Sequence, residues 1–218
     1  MRELTQTRVI AKSLAAAAVT AFATYSRMVL WSDRPREIWF LEAVIFGVAC
    51  LLWASVFAWH EKYSGRPVLD YGFPKAPWAA ATVCGLGGAA FMYAFLDPVL
   101  RPLTPEVYPG TLQQWGAATL FAVAFAPLFL CFGPAAFALR LLPSTAYAAY
   151  AVVSLGLVVA FMKLLGMPGP VSTPLAAGIL AVRAVSTALS VRFYWEGGIL
   201  LTLWWTLLLE LRHLAALL

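Results

Sequence analysis

Apolar residues run along this chain in long, nearly unbroken blocks, and the polar residues collect in short breaks between them. The blocks lie near 10–31, 38–60, 78–96, 112–142, 147–165, 174–191 and 197–217. Each reaches or approaches the roughly 20 residues that a helix needs to cross a hydrocarbon core. A lipid solvent offers no hydrogen bonds, so a crossing segment has to satisfy its backbone internally, as a helix does. The pattern predicts an all-α polytopic membrane bundle of about seven transmembrane helices, between six and eight, in a single domain covering 1–218.

The breaks carry turn formers. A polar hinge, Ser32 to Glu37, follows the first span, and the loop from Glu61 to Pro77 holds Gly65, Pro67, Gly72 and Pro74. A proline-rich loop contains Pro98, Pro102, Pro105 and Pro109, and Gly166 to Pro170 forms a turn after the fifth span. Gly85, Gly87 and Gly88 in the third span would let another helix approach closely. Pro127 and Pro134 inside the fourth predict a kink or a break. Arg2, Arg8 and Lys12 precede the first block as in a signal peptide. That block, from Leu14 to Trp31, is longer than a signal core and has no clear cleavage site, so it is expected to stay as the first helix.

Composition agrees with the blocks. The chain is 62% hydrophobic and 11% charged, with mean hydropathy +0.82, more apolar surface than a soluble domain of this length can hide. The net charge of +5 is dispersed over the loops, which argues against nucleic-acid binding. Cys50, Cys84 and Cys131 all lie in apolar blocks without a CxxC spacing, so neither a metal site nor a disulfide framework is expected. With the N-terminus inside, the inner face carries Arg2, Arg8, Lys12, Lys62, Arg66, Lys75, Arg140 and Arg192. The outer face carries Arg27, Arg34, Arg36, Arg101, Lys163 and Arg212. That bias favours an N-inside protein, and the short loops suit a bacterial cytoplasmic (inner) membrane.

Candidate chemistry rests on polar groups in apolar surroundings. Glu42, Arg183 and Glu210 sit inside spans, and Lys163 sits at the end of one. A charge near the bilayer centre costs roughly 2.5–3.5 kcal/mol even on the lenient scale, so such groups are expected to face inward and find partners. The expectation is a cluster in which Arg183 pairs with Glu42 or Glu210, serving as a binding pocket, a proton route or a structural ion pair. His60 and His213 could each ligate haem or a chlorophyll magnesium, but they fall at opposite faces and cannot share a metal. Aromatic spans with Trp39, Trp53, Trp204 and Trp205 suit contacts with lipid, pigment or quinone, or ordinary membrane packing. No GxSxG, HExxH, Walker or GxGxxG motif is present. Cys131 with Arg183 and Arg192 resembles the Cys/Arg logic of exosortases and archaeosortases, making Cys131 a candidate nucleophile.

From Leu112 to Leu218 the chain resembles the CPBP (Abi or CAAX-protease-like) family of intramembrane glutamic proteases. Phe125-Ala126-Pro127-Leu128-Phe129-Leu130-Cys131 resembles the approach to that family's paired-glutamate motif. Val159 to Lys163 occupies the place of its Phe-x-x-x-His, and Glu196-Gly197-Gly198-Ile199-Leu200 resembles the turn before its last helix. The family's polar residues are absent. Its glutamates fall on Leu130 and Cys131, its arginine on Ala135, its first histidine on Lys163, and its last His and Asn on Leu207 and Leu211. Leu and Cys cannot act as the base that activates water, so the resemblance implies a pseudoenzyme. The expected role is a non-catalytic accessory subunit or scaffold in a larger membrane complex. The alternatives are a transporter or binding protein using the Glu/Arg cluster, and a divergent protease or sortase using Cys131.

Overall fold

A computed structural model describes residues 3–31, 35–167, 169 and 171–217. Ser32, Asp33 and Arg34 of the expected hinge, and Pro168 and Pro170 of the expected turn, lie outside the described residues. Helices dominate, and six of them are long and apolar enough to cross a membrane.

Helix α1 is Thr7–Trp31. Helix α2 begins as Pro35–Ser55, passes through a π turn at Val56–His60 and ends at Glu61–Ser64. Helix α3 joins Lys75–Phe91, a π turn at Met92–Leu96 and Asp97–Leu100. Helix α4 runs Leu112–Ala124, is interrupted at Phe125 just ahead of Pro127, and continues through a π turn at Leu128–Phe132 into Gly133–Leu141. Helix α5 is Thr145–Leu165.

The π turns explain how the prolines are accommodated. Proline lacks the N–H that an α-helix would donate to the carbonyl four residues earlier. The N–H of Asp97, just before Pro98, bonds the carbonyl of Met92, and that of Gly133, just before Pro134, bonds the carbonyl of Leu128. Each wide turn closes on the residue ahead of the proline, and the helix goes on. The third helix therefore continues past Leu96, where the sequence pattern ends it.

The last helical segment, Thr173–Ala215, has 43 residues. A straight helix of that length would span about 64 Å, twice the hydrocarbon thickness. It is broken instead at Gly197 (φ −145°, ψ 16°) and Gly198 (φ 67°, ψ −156°). Trp205 Nε1 donates to Ser190 Oγ at 3.1 Å, and the Phe193 and Trp205 rings lie 5.3 Å apart. Groups fifteen residues apart meet only if the chain doubles back, so 173–196 (α6) and 199–215 (α7) form a hairpin. Six helical segments thus give the seven crossings that the apolar blocks predict.

The α2–α3 loop clamps the hairpin tip. The Ile199 N–H bonds the Val68 carbonyl at 3.1 Å, and the Arg66 guanidinium donates to the Trp195 carbonyl. Both bonds satisfy backbone groups that a broken helix leaves open. A Cβ at Gly198 would sit 2.6 Å from the Val68 carbonyl oxygen, in a backbone conformation that L side chains rarely adopt, so glycine is required there.

The main core joins α1, α2, α4 and α6 through Ala17, Trp53, Val56, Leu128, Phe132 and Tyr194. Indole N–H groups tie helices together. Trp53 bonds Thr20 at 3.0 Å, Trp204 bonds Thr82 at 3.0 Å and Trp115 bonds the Glu210 carbonyl at 3.1 Å. Gly85 of α3 lies against Leu208 of α7, where an added Cβ would approach within 2.8 Å, so α3 and α7 meet closely as its position in the sequence suggests.

Candidate functional site

Alternating helix directions define two faces. The N-terminal face holds the start of α1, the α2–α3 loop, the α4–α5 turn and the hairpin tip. The far face holds the end of α1, the α3–α4 loop, the α5–α6 turn and the end of α7.

On the N-terminal face, His60 is fully buried in the α2 π turn. Its ring lies 4.5 Å from that of Tyr194 and stacks at 5.8 Å on Trp195. Among the described residues, neither ring nitrogen of His60 has a hydrogen-bond partner, and neither does the Tyr194 hydroxyl. Cys131 is buried in the same core. Arg192 is exposed and bonds Glu196 at 2.9 Å, and Arg183 faces a different helix, so the arrangement does not assemble a Cys/Arg/Arg site. Outside the bilayer, Glu3 meets Lys62 and, at 3.4 Å, Arg140. The hydrogen bond from Lys62, with its charge, holds the Glu3 carboxyl below the usual carboxylate range.

The far face carries a denser polar cluster. Asp97 is 5% exposed; its Oδ1 accepts from the Tyr108 hydroxyl at 3.0 Å, and its Oδ2 lies 3.4 Å from Arg212 Nε. The Arg101 guanidinium lies 5.3 Å from the centre of the Tyr108 ring, whose edge meets His213. His213 Nε2 stands 3.8 Å from Glu210. Arg27 is within electrostatic reach of Glu210 and lies over the Phe121 ring at 4.5 Å. Burial, reinforced by the adjacent Asp97, raises the Tyr108 phenol above its ordinary value.

The expected pairing of Arg183 with Glu42 or Glu210 does not form. Glu42 takes its hydrogen bond from Thr24 of α1, at 3.2 Å. Glu210 belongs to the far-face cluster. Helical rotation is the reason. Ala181, Val182 and Val185 of α6 face a groove shared with α3 and α7. Arg183 lies one turn from Thr187, on the stripe that faces α5. Arg183 is near Lys163, and neither side chain has a carboxylate partner among the described residues. His60 and His213 lie at opposite faces, as expected, and the described residues contain no group of three or more metal-ligating side chains.

Asp97 and Tyr108 are missed by sequence reasoning because both lie beyond the third apolar block. The Asp97-Pro98 pair reads as a stop, whereas the π turn carries the helix through it. Tyr194 lies in the short break between the sixth and seventh apolar blocks, between Arg192 and Glu196, and reads there as an interfacial aromatic rather than a core residue.

A groove of about 490 Å³ opens between α3, α6 and α7, lined by Gly87, Gly88, Phe91, Val182, Val185 and Leu209 among others. Gly87 has open space beside it: an added Cβ would meet nothing within 4 Å. The groove lies at the level of the apolar parts of these helices. Comparisons with family models, curated proteins and solved structures gave no match to this chain.

Proposed function

We propose that this integral membrane protein is a non-catalytic, CPBP-like pseudoenzyme acting as an accessory or scaffold subunit of a larger membrane complex. It would reside in a bacterial cytoplasmic membrane with its N-terminus inside. The observation that carries this reading is the apolar groove between α3, α6 and α7. A lipid-exposed groove floored by glycine accepts a side-chain ridge from another transmembrane helix, because small residues let helix axes come close. The positions that would be catalytic in the resembling family hold Leu130, Cys131, Ala135, Lys163, Leu207 and Leu211, side chains that pack or bind but do not supply its glutamate base.

The test is extraction in mild detergent, size-exclusion chromatography and mass spectrometry of what co-elutes. A stoichiometric membrane partner is expected with the native chain. Gly87→Leu, which fills open space, should release that partner while leaving the elution of the chain itself monodisperse. A native chain that elutes alone, or a partner that Gly87→Leu retains, would overturn the proposal.

A further inference from the structure

Among the described residues, Lys163 and Arg183 stand together without an acid. Their placement follows from the α5–α6 packing. Ala148, Val152, Gly156 and Ala160 form the buried stripe of α5. Gly156 abuts Thr187 of α6 so closely that a Cβ would lie 2.6 Å from Thr187 Oγ1. The two helices run antiparallel, so the next pair outward sets Ala160 opposite Arg183. Lys163 follows Ala160 by three residues, about 4.5 Å along the axis and just under one turn.

Side-chain direction brings the charges closer. Helical side chains lean toward their own N-terminus. Arg183 leans toward the far face, and Lys163 leans back into the bilayer, so the two converge near the end of α5. Arg183 is half-buried, and its Nε is buried without a hydrogen-bond partner among the described residues. Lys163 is exposed on the bundle surface and makes no hydrogen bond or ion pair among the described residues. Arg27 is a third cation within electrostatic reach of Lys163.

We infer that Lys163 and Arg183 form a binding site for the phosphate of an anionic phospholipid headgroup, in the cleft between α5 and α6 at the far face. Two neighbouring cations without a carboxylate repel each other, and an anion between them removes that repulsion. A guanidinium offers paired donors to phosphate oxygens, and an ammonium adds a point charge. The site opens on a lipid-facing surface at the end of a membrane helix, where phospholipid headgroups lie, and this selects a lipid over a free anion. The inference is independent of the scaffold reading, since it requires no protein partner.

The experiment uses the full chain purified in non-ionic detergent. Phosphatidylglycerol, phosphatidylcholine and inorganic phosphate are titrated separately, with bound lipid read by native mass spectrometry and stability by thermal unfolding. Phosphatidylglycerol should stay bound and raise the melting temperature; phosphatidylcholine should not. Lys163→Gln and Arg183→Gln should each weaken phosphatidylglycerol binding about fivefold, the size expected for one basic group at an anionic headgroup. Lys163→Arg should preserve binding. Should Arg183→Gln fail to fold, Lys163→Gln at its exposed position still decides. Equal binding of the two lipids, or unchanged binding in Lys163→Gln, overturns the site. The same stabilisation by inorganic phosphate overturns the assignment to a lipid.

Discussion

Asp97 shows how a single carboxylate is made tolerable at the edge of the hydrocarbon. A buried charge is costly unless it is both paired and hydrogen-bonded. Asp97 has both, from Arg212 on α7 and Tyr108 in the α3–α4 loop. Tyr108→Phe removes a hydrogen bond to a charged acceptor and should lower stability by about 1.5–3 kcal/mol at neutral pH. The phenol's folded pKa is raised, so its contribution is fully present below the unfolded tyrosine value of about 10 and is lost as pH rises through the folded value. The gap in melting temperature between wild type and Tyr108→Phe should therefore be constant from pH 7 to about pH 9 and shrink in stronger alkali. Measuring both proteins across that range cancels the other tyrosines, and a gap that widens above pH 10 would contradict the assignment. The sequence alone gives no hint of this trio. Its members come from a helix end, a loop and the last helix, and only the tertiary fold brings them together.

At the scale of elements, register decides which charges meet. The sequence places Glu42, Lys163, Arg183 and Glu210 within or at the ends of spans, and depth alone lets any acid reach Arg183. Rotation about the helix axis separates them: the stripe through Arg183 and Thr187 looks at α5, while Glu42 looks at Thr24 of α1. The contact that fixes this is Gly156 against Thr187. Gly156→Ala should cost about 1–3 kcal/mol, the usual range for overpacking a closed contact. Thr187→Ala removes the two atoms nearest the new methyl, Oγ1 and Cγ2, and should restore part of the loss in the double variant. Thermal unfolding of the two single variants and the double variant gives the coupling directly, and strict additivity would show that the two residues do not meet. Gly156 is one glycine in an apolar helix and carries no sequence signal. The Gly197-Gly198 pair is legible because two adjacent glycines follow a polar Glu196.

For the whole molecule, the hairpin determines the side on which each loop lies. The apolar blocks foretell seven crossings, and their lengths locate the breaks within a few residues; the π turns beside Pro98 and Pro134 escape because they keep the helix continuous where proline reads as an end. The count of crossings has a consequence that an unbroken Thr173–Ala215 helix does not share. In the hairpin, Arg192 and Glu196 stand at the N-terminal face with Arg66 and Tyr71, while Arg212 stands at the far face with Val107. Cysteine introduced at Tyr71 or at Arg192 should therefore react with an impermeant maleimide from one side of sealed vesicles. Cysteine at Val107 or at Ala215 should react only from the other. The native chain, with Cys131 buried and Cys50 and Cys84 partly buried within helices, supplies the background. If the segment were one straight rod of about 64 Å, Arg192 would lie near its middle, about 28 Å from Thr173, and Ala215 would project well past the bilayer. Labelling of Ala215→Cys from the Val107 side supports the doubled-back chain, and labelling from the Tyr71 side, where a straight rod would carry it, would contradict it. Labelling of Arg192→Cys from the Val107 side would put the tip at the opposite face, where the clamp formed by Arg66 and Val68 could not form.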